Sequence, residues 1–440
     1  MVIHYPSIRA IFNSILENDD GGCEDRVNVC SFMKLQSFCE KNYVFMANHC
    51  PKTCGLCKLL EGVRAVKKEE KRTQLPNTND LKGILSGMGR LQRAYNISIA
   101  LMRTGVIHRF HTSVKLSAWD CLQIAYQLYE EGILSYTLLW FDEILNAFND
   151  TETLTLAQEK RSVIANKHDK FWEEDEKHFP NLLAKDPHQN PVPSNFYQYC
   201  MKSREKRPVI AEEGLQCYLT TKGNPYLLLQ PLKQETFGTD PEMVVFYDVI
   251  NDSEIETLKR LGKNVLKRDS NNNRRTEHIV LHNVTHPVID NIERRAEMFS
   301  GLLFHSKVRN PDDIDPEPLK VRNYGACGDF GIHTDTYYIH KGEDGANKNN
   351  PKPERLATVL FYLNDVLEGG STVFHECGVV VNPKKGSALL FYNVKKNGDF
   401  EQRSLHGSCP LTVGNKWVAM KWFSDKYNFL TRQCSTNSLE

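Results

Sequence analysis

The sequence predicts a multidomain α+β protein with a small disulfide-rich module, an α-helical region, and a C-terminal β sandwich or barrel flanked by helices. Three observations lead to this prediction. Six of the thirteen cysteines lie between residues 23 and 57, apolar residues recur at helical spacing from about 80 to 148, and short β-rich segments follow from about 195 onward. A chain of 440 residues also suggests about three domains, at roughly 150 residues per domain.

The composition is that of an ordinary globular protein, and it excludes several functional classes. Hydrophobic residues make up 40% and charged residues 25% of the chain, which excludes a mostly disordered or collagen-like protein. Lys plus Arg and Asp plus Glu both number 55, and this balance argues against a protein that coats nucleic acid. Because no run of about 18 consecutive apolar residues is present, the sequence predicts no membrane span.

Residues 23–57 form the cysteine-rich module. A segment this short cannot bury enough apolar surface to fold alone, and three disulfides would supply roughly 3 kcal/mol each for loops of this size. A zinc site is the alternative, because the cysteines near the end of the module have plausible ligand spacing. Such a site would leave half of the cysteines without a role. The six cysteines are Cys23, Cys30, Cys39, Cys50, Cys54 and Cys57.

Disulfides at this density are typical of an oxidising compartment, which proteins normally reach with a signal peptide. The apolar patch Ile8–Leu16 is broken by Arg9 and two polar residues, and no acceptable cleavage region follows it. We therefore expect residues 1–22 to be a leader remnant and the true leader to be missing from this chain.

The charged run at 67–74, closed by Pro76, predicts a linker over residues 58–78. Helical spacing then continues over residues 79–150. One helix covers Leu81 to Leu91, a second begins at a capping-box pattern at Ser117, and a third runs from about Leu134 to Phe148.

The last two predicted helices carry aromatic residues on their facing sides and resemble one tetratricopeptide-like hairpin. Packing between the two helices is the simpler interpretation of most of these aromatics. Residues 151–235 are predicted to be a connecting region, and the polar stretch 151–195 has no firm structural assignment. The four aromatics are Tyr126, Tyr129, Tyr136 and Trp140.

The C-terminal half reads as a series of short strands separated by turn residues, with a helix at Ser253–Leu266 packed against them. Such a series is typical of a sandwich or barrel. The predicted strands are Met243–Tyr247, Leu319–Tyr324, Leu356–Leu363, Ser371–Phe374, Gly378–Val381, Ala388–Tyr392 and Lys416–Phe423.

Four residues in this half suggest metal chemistry. His333 and Asp335 are two positions apart, so in an extended segment their side chains point the same way. His406 is predicted to lie in a loop before the last strand, where Lys416 would face the barrel interior. A buried ammonium needs an anionic partner, and a bound dicarboxylate would provide one. Two histidines, one carboxylate and such a lysine are typical of a non-haem iron oxygenase that uses a 2-oxo acid.

These residues and the segments around them resemble the Fe(II)/2-oxoglutarate dioxygenases, and most closely the collagen prolyl 4-hydroxylase α-subunit family. The resemblance covers residues 236–434 and implies that this domain is a double-stranded β-helix, or jelly roll. A weaker resemblance over 75–96 and 120–132 implies that region 79–150 is a helical dimerisation and peptide-substrate-binding region. The matching segments are VRNYG (321–325), RLATVLFYLNDV (355–366), GGSTVF (369–374), PKKGSALLFYN (383–393) and CPLTVGNKWVAMKW (409–422).

The resemblance implies roles for individual residues. His333, Asp335 and His406 would bind iron, and Lys416 would bind the distal carboxylate of 2-oxoglutarate. For the other expected pocket residues, ordinary barrel packing is the alternative interpretation. These residues are Tyr324, Thr358 and Trp422.

Disulfide pairings are also implied by resemblance. The N-terminal module is similar to the six-cysteine module of sea-anemone potassium-channel toxins, and the catalytic family has two further bonds. Three cysteines would remain as thiols, namely Cys121, Cys327 and Cys377, with a Cys327–Cys377 bridge as an alternative. The implied bonds are Cys23–Cys57, Cys30–Cys50, Cys39–Cys54, Cys200–Cys217 and Cys409–Cys434.

The activity implied by the resemblance is 4-hydroxylation of peptidyl proline in collagen-like X-Pro-Gly sequences. It is coupled to oxidative decarboxylation of 2-oxoglutarate and requires Fe(II), with L-ascorbate as reductant. The alternatives are a hydroxylase of another peptidyl residue and a non-catalytic peptide-binding scaffold. A scaffold would have no use for the three iron ligands together with Lys416.

The resemblance further implies residence in the endoplasmic reticulum lumen and a β subunit, protein disulfide isomerase. The assembly would be a heterotetramer or a heterodimer. The sequence ends in TNSLE without a retention signal, so we expect the partner to hold the complex there. Four N-x-S/T triplets are compatible with a glycoprotein, and they begin at Asn96, Asn149, Asn251 and Asn283.

Overall fold

A computed structural model describes residues 24–25, 28, 30–35, 39, 50, 52–55, 78–107, 110–176, 194–203, 217–263, 266–268, 276–282, 286–304, 317–336 and 353–435. The chain divides into two compact units, Met1–Leu81 and Lys82–Glu440. The predicted leader 1–22, nearly all of the linker 58–78 and of the tail 435–440, and the triplet at Asn283 lie outside the described residues.

Helices occupy both units, and in the described residues none is both long and apolar enough to cross a membrane. The helices are α1 Cys30–Leu35, α2 Thr78–Tyr95, α3 Ile99–Arg103, α4 Ala118–Glu130, α5 Leu134–Ala147, α6 Thr151–Glu176, α7 Ser194–Lys202, α8 Asp252–Gly262, α9 Pro287–Ser300 and α10 Asp425–Asn428.

The strands belong almost entirely to the C-terminal half of the chain. They are β1 Val106–Ile107, β2 Phe110–His111, β3 Cys217–Thr220, β4 Leu232–Thr239, β5 Glu242–Tyr247, β6 Lys267–Arg268, β7 Glu277–Leu281, β8 Leu319–Tyr324, β9 Phe330–His333, β10 Arg355–Tyr362, β11 Glu368–Gly369, β12 Thr372–Phe374, β13 Val379–Val381, β14 Ala388–Tyr392, β15 His406–Ser408, β16 Leu411–Val413 and β17 Lys416–Ser424.

The N-terminal module is cross-linked by disulfides. Cys30 is bonded to Cys50, and Cys39 is bonded to Cys54. These are two of the three bonds implied by the resemblance to the sea-anemone module, and they exclude the zinc alternative, which needs Cys50 and Cys54 as thiolates. The third, Cys23–Cys57, lies outside the described residues.

The helical region begins as predicted. At the start of α4 the backbone N–H of Ser117 donates to Asp120 Oδ2 at 2.9 Å, and the N–H of Asp120 donates to Ser117 Oγ at 3.2 Å. This is the reciprocal capping box expected from the sequence. Trp140 on α5 is fully buried and donates to Gln92 Oε1 at 2.8 Å, so it belongs to the core between helices.

The stretch without a firm sequence assignment contains a long helix, α6, which packs along α5. Its buried positions Thr153, Ala157 and Ile164 form a sparse stripe, and the rest of the helix is largely polar. A stripe this thin gives a weak periodic signal, which is why the sequence pattern did not predict the helix.

Two antiparallel sheets form the jelly roll. Within the described residues the larger sheet has the order β3-β4-β5-β14-β10-β17-β8-β7-β6, and the smaller has the order β13-β12-β15-β9. Residues alternate between the two faces of each strand. On β10, Thr358 and Tyr362 face the interior between the sheets, whereas Val359 and Phe361 join the core that includes α8 and α9.

Strand β17 shows the same alternation with two lysines. The predicted interior face, which carries Lys416, Val418 and Met420, does line the jelly-roll interior. Lys421 lies on the other face, where its ammonium is buried and hydrogen-bonded to the Glu293 carboxylate of α9. A buried charge is tolerated there because an acid of opposite charge lies beside it.

The disulfide predictions for the catalytic half are wrong. Cys200 of α7 is bonded to Cys409, just after β15, and both side chains are fully buried in the core shared by the helical region and the small sheet. Cys217 and Cys434 are exposed thiols. The structure places α7 against the small sheet, so the buried partner of Cys200 is distant in sequence. The alternative bridge is absent as well, because Cys327 and Cys377 remain thiols.

The Cys200–Cys409 bond predicts a specific mapping result. In a Cys217→Ser variant, peptide mapping should still recover Cys200 linked to Cys409. In the Cys200→Ala, Cys409→Ala double variant, the free energy of unfolding should fall by about 2–5 kcal/mol, because the bond closes a long loop. Recovery of a Cys200–Cys217 peptide from the parent chain would contradict this assignment.

Candidate metal centre and cosubstrate pocket

Strand pairing brings the two candidate metal-binding histidines together. Strands β9 and β15 are antiparallel neighbours, and His333 is the direct cross-strand partner of His406. His406 therefore lies in a strand, not in the predicted loop. Asp335 follows two residues after the end of β9, which turns its carboxylate toward the same cavity.

The three side chains form a compact cluster. Nε2 of His333 is 3.9 Å from Oδ1 of Asp335, and Nε2 of His406 is 4.0 Å from Oδ2 of Asp335. One ligand atom from each residue lies within 4.8 Å of the other two. In the described part of the chain, no other group of His, Cys, Asp and Glu residues is arranged to hold a metal.

Backbone carbonyls orient both imidazoles. Nδ1 of His333 lies 2.9 Å from the carbonyl oxygen of Gly331, and Nδ1 of His406 lies 3.0 Å from that of Ser404. A carbonyl accepts only, so Nδ1 is the protonated nitrogen in each ring and Nε2 keeps its lone pair for a metal. The Phe330 ring stacks on His333 with 3.6 Å between ring centroids and further limits rotation of this imidazole.

A relay of hydrogen bonds orients the carboxylate. Thr358 donates to Asp335 Oδ2 at 2.8 Å, and the Asn393 amide donates to Thr358 Oγ1 at 2.9 Å. Burial by itself raises the pKa of Asp335, but the nearby His406, His333 and Arg355, together with the hydrogen bond from Thr358, outweigh burial and hold the pKa below its ordinary value. The carboxylate is therefore ionised and available as a ligand.

Burial has the opposite effect on the neighbouring histidine. It lowers the pKa of His406 from its ordinary value, and the positive charge of Lys416 lowers it slightly further. The Asp335 carboxylate and the Ser404 carbonyl oppose this shift without reversing it. His406 is therefore neutral near pH 7, which is the form that binds metals.

Lys416 lies in the same cavity and is 1% exposed. Its Nζ donates to the carbonyl oxygen of Gly370 at 2.6 Å and to Ser408 Oγ at 3.0 Å. The rings of Tyr324 and Tyr362 lie 5.1 and 5.6 Å away, at distances typical of cation–π contacts. In the described residues no carboxylate pairs with Lys416, and burial lowers the pKa of its ammonium to about 7.

Sequence reasoning missed several of these contacts. Ser408 and Gly370 hold the lysine, and a side chain at Gly370 would crowd it, because a Cβ there would lie 3.3 Å from Lys416 Cδ. Gly370 also has a φ of +71°, a conformation that side chains disfavour. The GGSTVF segment contained a signal for this close approach. Nothing local in the sequence pointed to Asn393, whose partner Thr358 lies on the neighbouring strand.

Of the three remaining residues expected in the pocket, two line the cavity and one does not. Tyr324 and Thr358 line the cavity, and Tyr324 is the cross-strand partner of Lys416. Trp422 is not among the lining residues of the described chain. Its indole is covered by the Arg355 guanidinium, which lies 3.8 Å from the centre of the ring, so it packs at the edge of the site.

The donor set fits Fe(II) and 2-oxoglutarate. Two imidazoles whose Nδ1 atoms face backbone carbonyls and one ionised carboxylate lie on one side of the cavity. Such a set provides the protein ligands of non-haem iron oxygenases, which leave further coordination positions for other molecules. A buried ammonium without an acidic partner is costly, and a dicarboxylate would compensate the cost. The iron would be held by His333, Asp335 and His406, and the distal carboxylate of the cosubstrate by Lys416.

Comparison with known proteins supports the same interpretation. Residues 319–424 match the 2OG-Fe(II) oxygenase superfamily, and residues 22–57 match the ShK domain-like family. A prolyl 4-hydroxylase subunit alpha-2 from Caenorhabditis elegans is 30% identical over 82% of this chain and 74% of its own length. The chain belongs to the prolyl 4-hydroxylase α-subunit family. Prolyl 4-hydroxylase subunit alpha-1 from Bos taurus is 28% identical over 84% of this chain and 78% of its own length.

Solved structures of prolyl hydroxylases match part of this chain. A viral collagen prolyl hydroxylase from Paramecium Bursaria Chlorella virus-1, in complex with 2OG, is 23% identical over 41% of this chain and 95% of that chain, with a TM-score of 0.32. A prolyl-4-hydroxylase from Pseudomonas putida is 15% identical over 41% of this chain and 91% of that chain, with a TM-score of 0.28.

The surroundings of Lys416 predict a pH-dependent KM for 2-oxoglutarate. Because burial lowers the pKa of Lys416 to about 7, the charged form that pairs with a carboxylate is lost as the pH rises above that value. KM should therefore increase between pH 7 and pH 8.5. In Lys416→Arg the charge persists across this range, so KM should be higher than in the parent at pH 7 but nearly independent of pH.

Lys416→Ala should raise KM at pH 7 by about tenfold or more, since a hydrogen bond to a charged group is worth roughly 1.5–3 kcal/mol. The exposed Lys384 supplies the matched control, and Lys384→Ala should leave KM unchanged. The assignment fails if Lys416→Ala alters the affinity for peptide alone.

Proposed function

We propose that this chain 4-hydroxylates peptidyl proline in collagen-like X-Pro-Gly sequences and couples this reaction to the oxidative decarboxylation of 2-oxoglutarate to succinate and CO₂. The observation that carries the proposal is the pairing of two sites in one cavity. One is the metal-binding cluster of His333, Asp335 and His406, and the other is the ammonium of Lys416, buried in the described chain without an acidic partner.

Membership of the prolyl 4-hydroxylase α-subunit family supports peptidyl proline as the substrate. Bound Fe(II), with 2-oxoglutarate and O₂, supplies the oxidising power, and L-ascorbate is the reductant typical of the family. The protein binds and orients the participants. His333, Asp335 and His406 hold the metal, and Lys416 with Ser408 determines where the cosubstrate carboxylate lies.

The cavity wall performs the remaining task, which is the exclusion of water. Phe330, Leu360, Phe391 and Met420 give the cavity a largely apolar lining beside the polar cluster. Such a lining strengthens the charge pairing at Lys416, because a low-dielectric site screens electrostatic interactions less than water does. It also protects reactive species from side reactions with solvent.

The helical hairpin of α4 and α5 is the proposed peptide-binding element. Tyr126, Tyr129 and Tyr136 are half-buried, so each packs against the core and keeps part of its side chain accessible. Aromatic side chains that remain partly accessible suit extended proline-rich segments, which are already stiff and lose little entropy on binding.

The activity is tested by measuring succinate formation with and without a (Pro-Pro-Gly)-type peptide. We expect the peptide to stimulate decarboxylation and to acquire 4-hydroxyproline, and His406→Ala to abolish both, because it removes one of three metal ligands. His286→Ala provides the matched control, since His286 caps helix α9 and is not part of the cavity lining. Full activity of His406→Ala would overturn the metal assignment. Hydroxylation of lysine in place of proline would favour the alternative, a hydroxylase of another peptidyl residue.

We propose further that this chain is the α subunit of a complex with protein disulfide isomerase in the endoplasmic reticulum lumen, as an α₂β₂ heterotetramer or an αβ heterodimer. The relatives are named as α subunits, and such a name supports an assembly with another chain. Three disulfides among the described residues, including the buried Cys200–Cys409 bond, support an oxidising compartment.

Expression of the chain alone and together with the isomerase tests the partner. We expect soluble, active material only from co-expression, and size-exclusion chromatography should show a mass that includes both chains. A soluble and fully active monomer without the isomerase would contradict the proposed partner and leave the chemistry unaffected.

A further inference from the structure

Helix α2, in the helical region, contacts the turns next to the two histidine-bearing strands through two buried side chains. The Arg90 guanidinium donates from Nε and Nη2 to the carbonyl oxygen of Cys327, at 3.3 and 3.1 Å. The Tyr95 hydroxyl donates to the carbonyl oxygen of Pro410 at 2.6 Å. Arg90 is 4% and Tyr95 2% exposed, so both hydrogen bonds are shielded from water.

The two anchored carbonyls flank the strands that carry the metal-binding histidines. Cys327 lies three residues before β9, which ends at His333, and Pro410 lies two residues after β15, which begins at His406. The two turns are also bonded to each other, because the N–H of Cys327 donates to the carbonyl of Leu411 at 3.1 Å. A shift of either turn would therefore move one histidine strand relative to the other.

The contact between α2 and the first turn is unusually close. A Cβ added to Gly87 would lie 2.5 Å from Cys327 Cβ, so only glycine permits the helix to approach this near. Cys327 itself has a φ of +59°, an unfavourable backbone conformation for a residue with a side chain. Arg90 Nε also lies 3.4 Å from Asp329 Oδ1. Arg90 therefore contacts both Cys327 and Asp329, which are the two ends of this short segment.

We propose that Arg90 and Tyr95 are positioning residues for the metal centre, and that they act through the turns at Cys327 and Pro410 on the register of β9 and β15. Helix α2 then has a role beyond the dimerisation implied by its sequence resemblance. This inference rests on the proposed function for the identity of the metal. It makes the helical region a structural part of the metal site, and loss of either contact weakens metal binding.

The experiment measures Mn(II) affinity by electron paramagnetic resonance, with Mn(II) as an inert substitute for Fe(II), on the full chain with its assembly partner. Arg90→Met keeps the length of the side chain and removes its donors. It should weaken Mn(II) binding by on the order of tenfold, as loss of groups that orient metal ligands commonly does. Arg90→Lys retains a charge opposite Asp329 and should recover part of the affinity, and Tyr95→Phe should cause a smaller loss.

Arg103→Met is the matched control. It breaks a comparable arginine contact, the 2.7 Å pair with Glu143 between α3 and α5, which does not reach either turn. The control should lower the midpoint of thermal unfolding and leave Mn(II) affinity within twofold of the parent. This comparison separates a general loss of stability from a specific effect on the metal.

The outcomes are distinct. If Arg90→Met and Tyr95→Phe bind Mn(II) as tightly as the parent does, α2 only packs against the sheet and the proposal is wrong. If Arg90→Met does not fold, Tyr95→Phe and Arg90→Lys decide the question by the same measure. A parent chain that binds Mn(II) and 2-oxoglutarate but hydroxylates no peptide would contradict the proposed function and leave this inference intact.

Discussion

The metal centre depends on one strand register, the antiparallel pairing of β9 with β15 that makes His333 and His406 direct neighbours. Strand pairing offers few alternatives, because a shift by one residue would turn one of the imidazoles to the opposite face of the sheet. The carbonyls of Gly331 and Ser404 fix the ring orientations from within the same two strands. The facing sheet then completes the site with Thr358 and Lys416, which it presents across the interior.

The two buried lysines of β17 have different roles, one structural and one functional. Lys421 faces the helices and pairs with Glu293, so its charge is compensated inside the protein. Lys416 faces the cavity, where Gly370, Ser408 and two tyrosine rings accept it without neutralising its charge. Among the described residues no acid pairs with Lys416, and the cost of charging this buried amine is offset when an anion binds. A preorganised cation of this kind selects for a carboxylate-bearing cosubstrate.

Within the second unit, the helical region and the jelly roll share one hydrophobic core. Leu91 and Trp140 from the helices pack in the same cluster as Val373 and Cys409 of the small sheet. The Cys200–Cys409 disulfide links α7 covalently to this sheet, and Arg90 adds a polar contact to the turn before β9. The hairpin proposed to bind peptide and the metal-binding cluster therefore belong to one continuous packed structure.

The sequence by itself determined the features that depend on neighbouring residues. These include the capping box at Ser117, the alternation that points Lys416 inward, and the His333–Asp335 spacing, because helix and strand periodicity are local. Tertiary structure alone decided which distant groups meet. The partner of Cys200, the support of Asp335 by Asn393 through Thr358, and the contact between Arg355 and Trp422 all arise between elements far apart in the chain. Their proximity follows from how sheets and helices pack, and a local pattern contains no information about that packing.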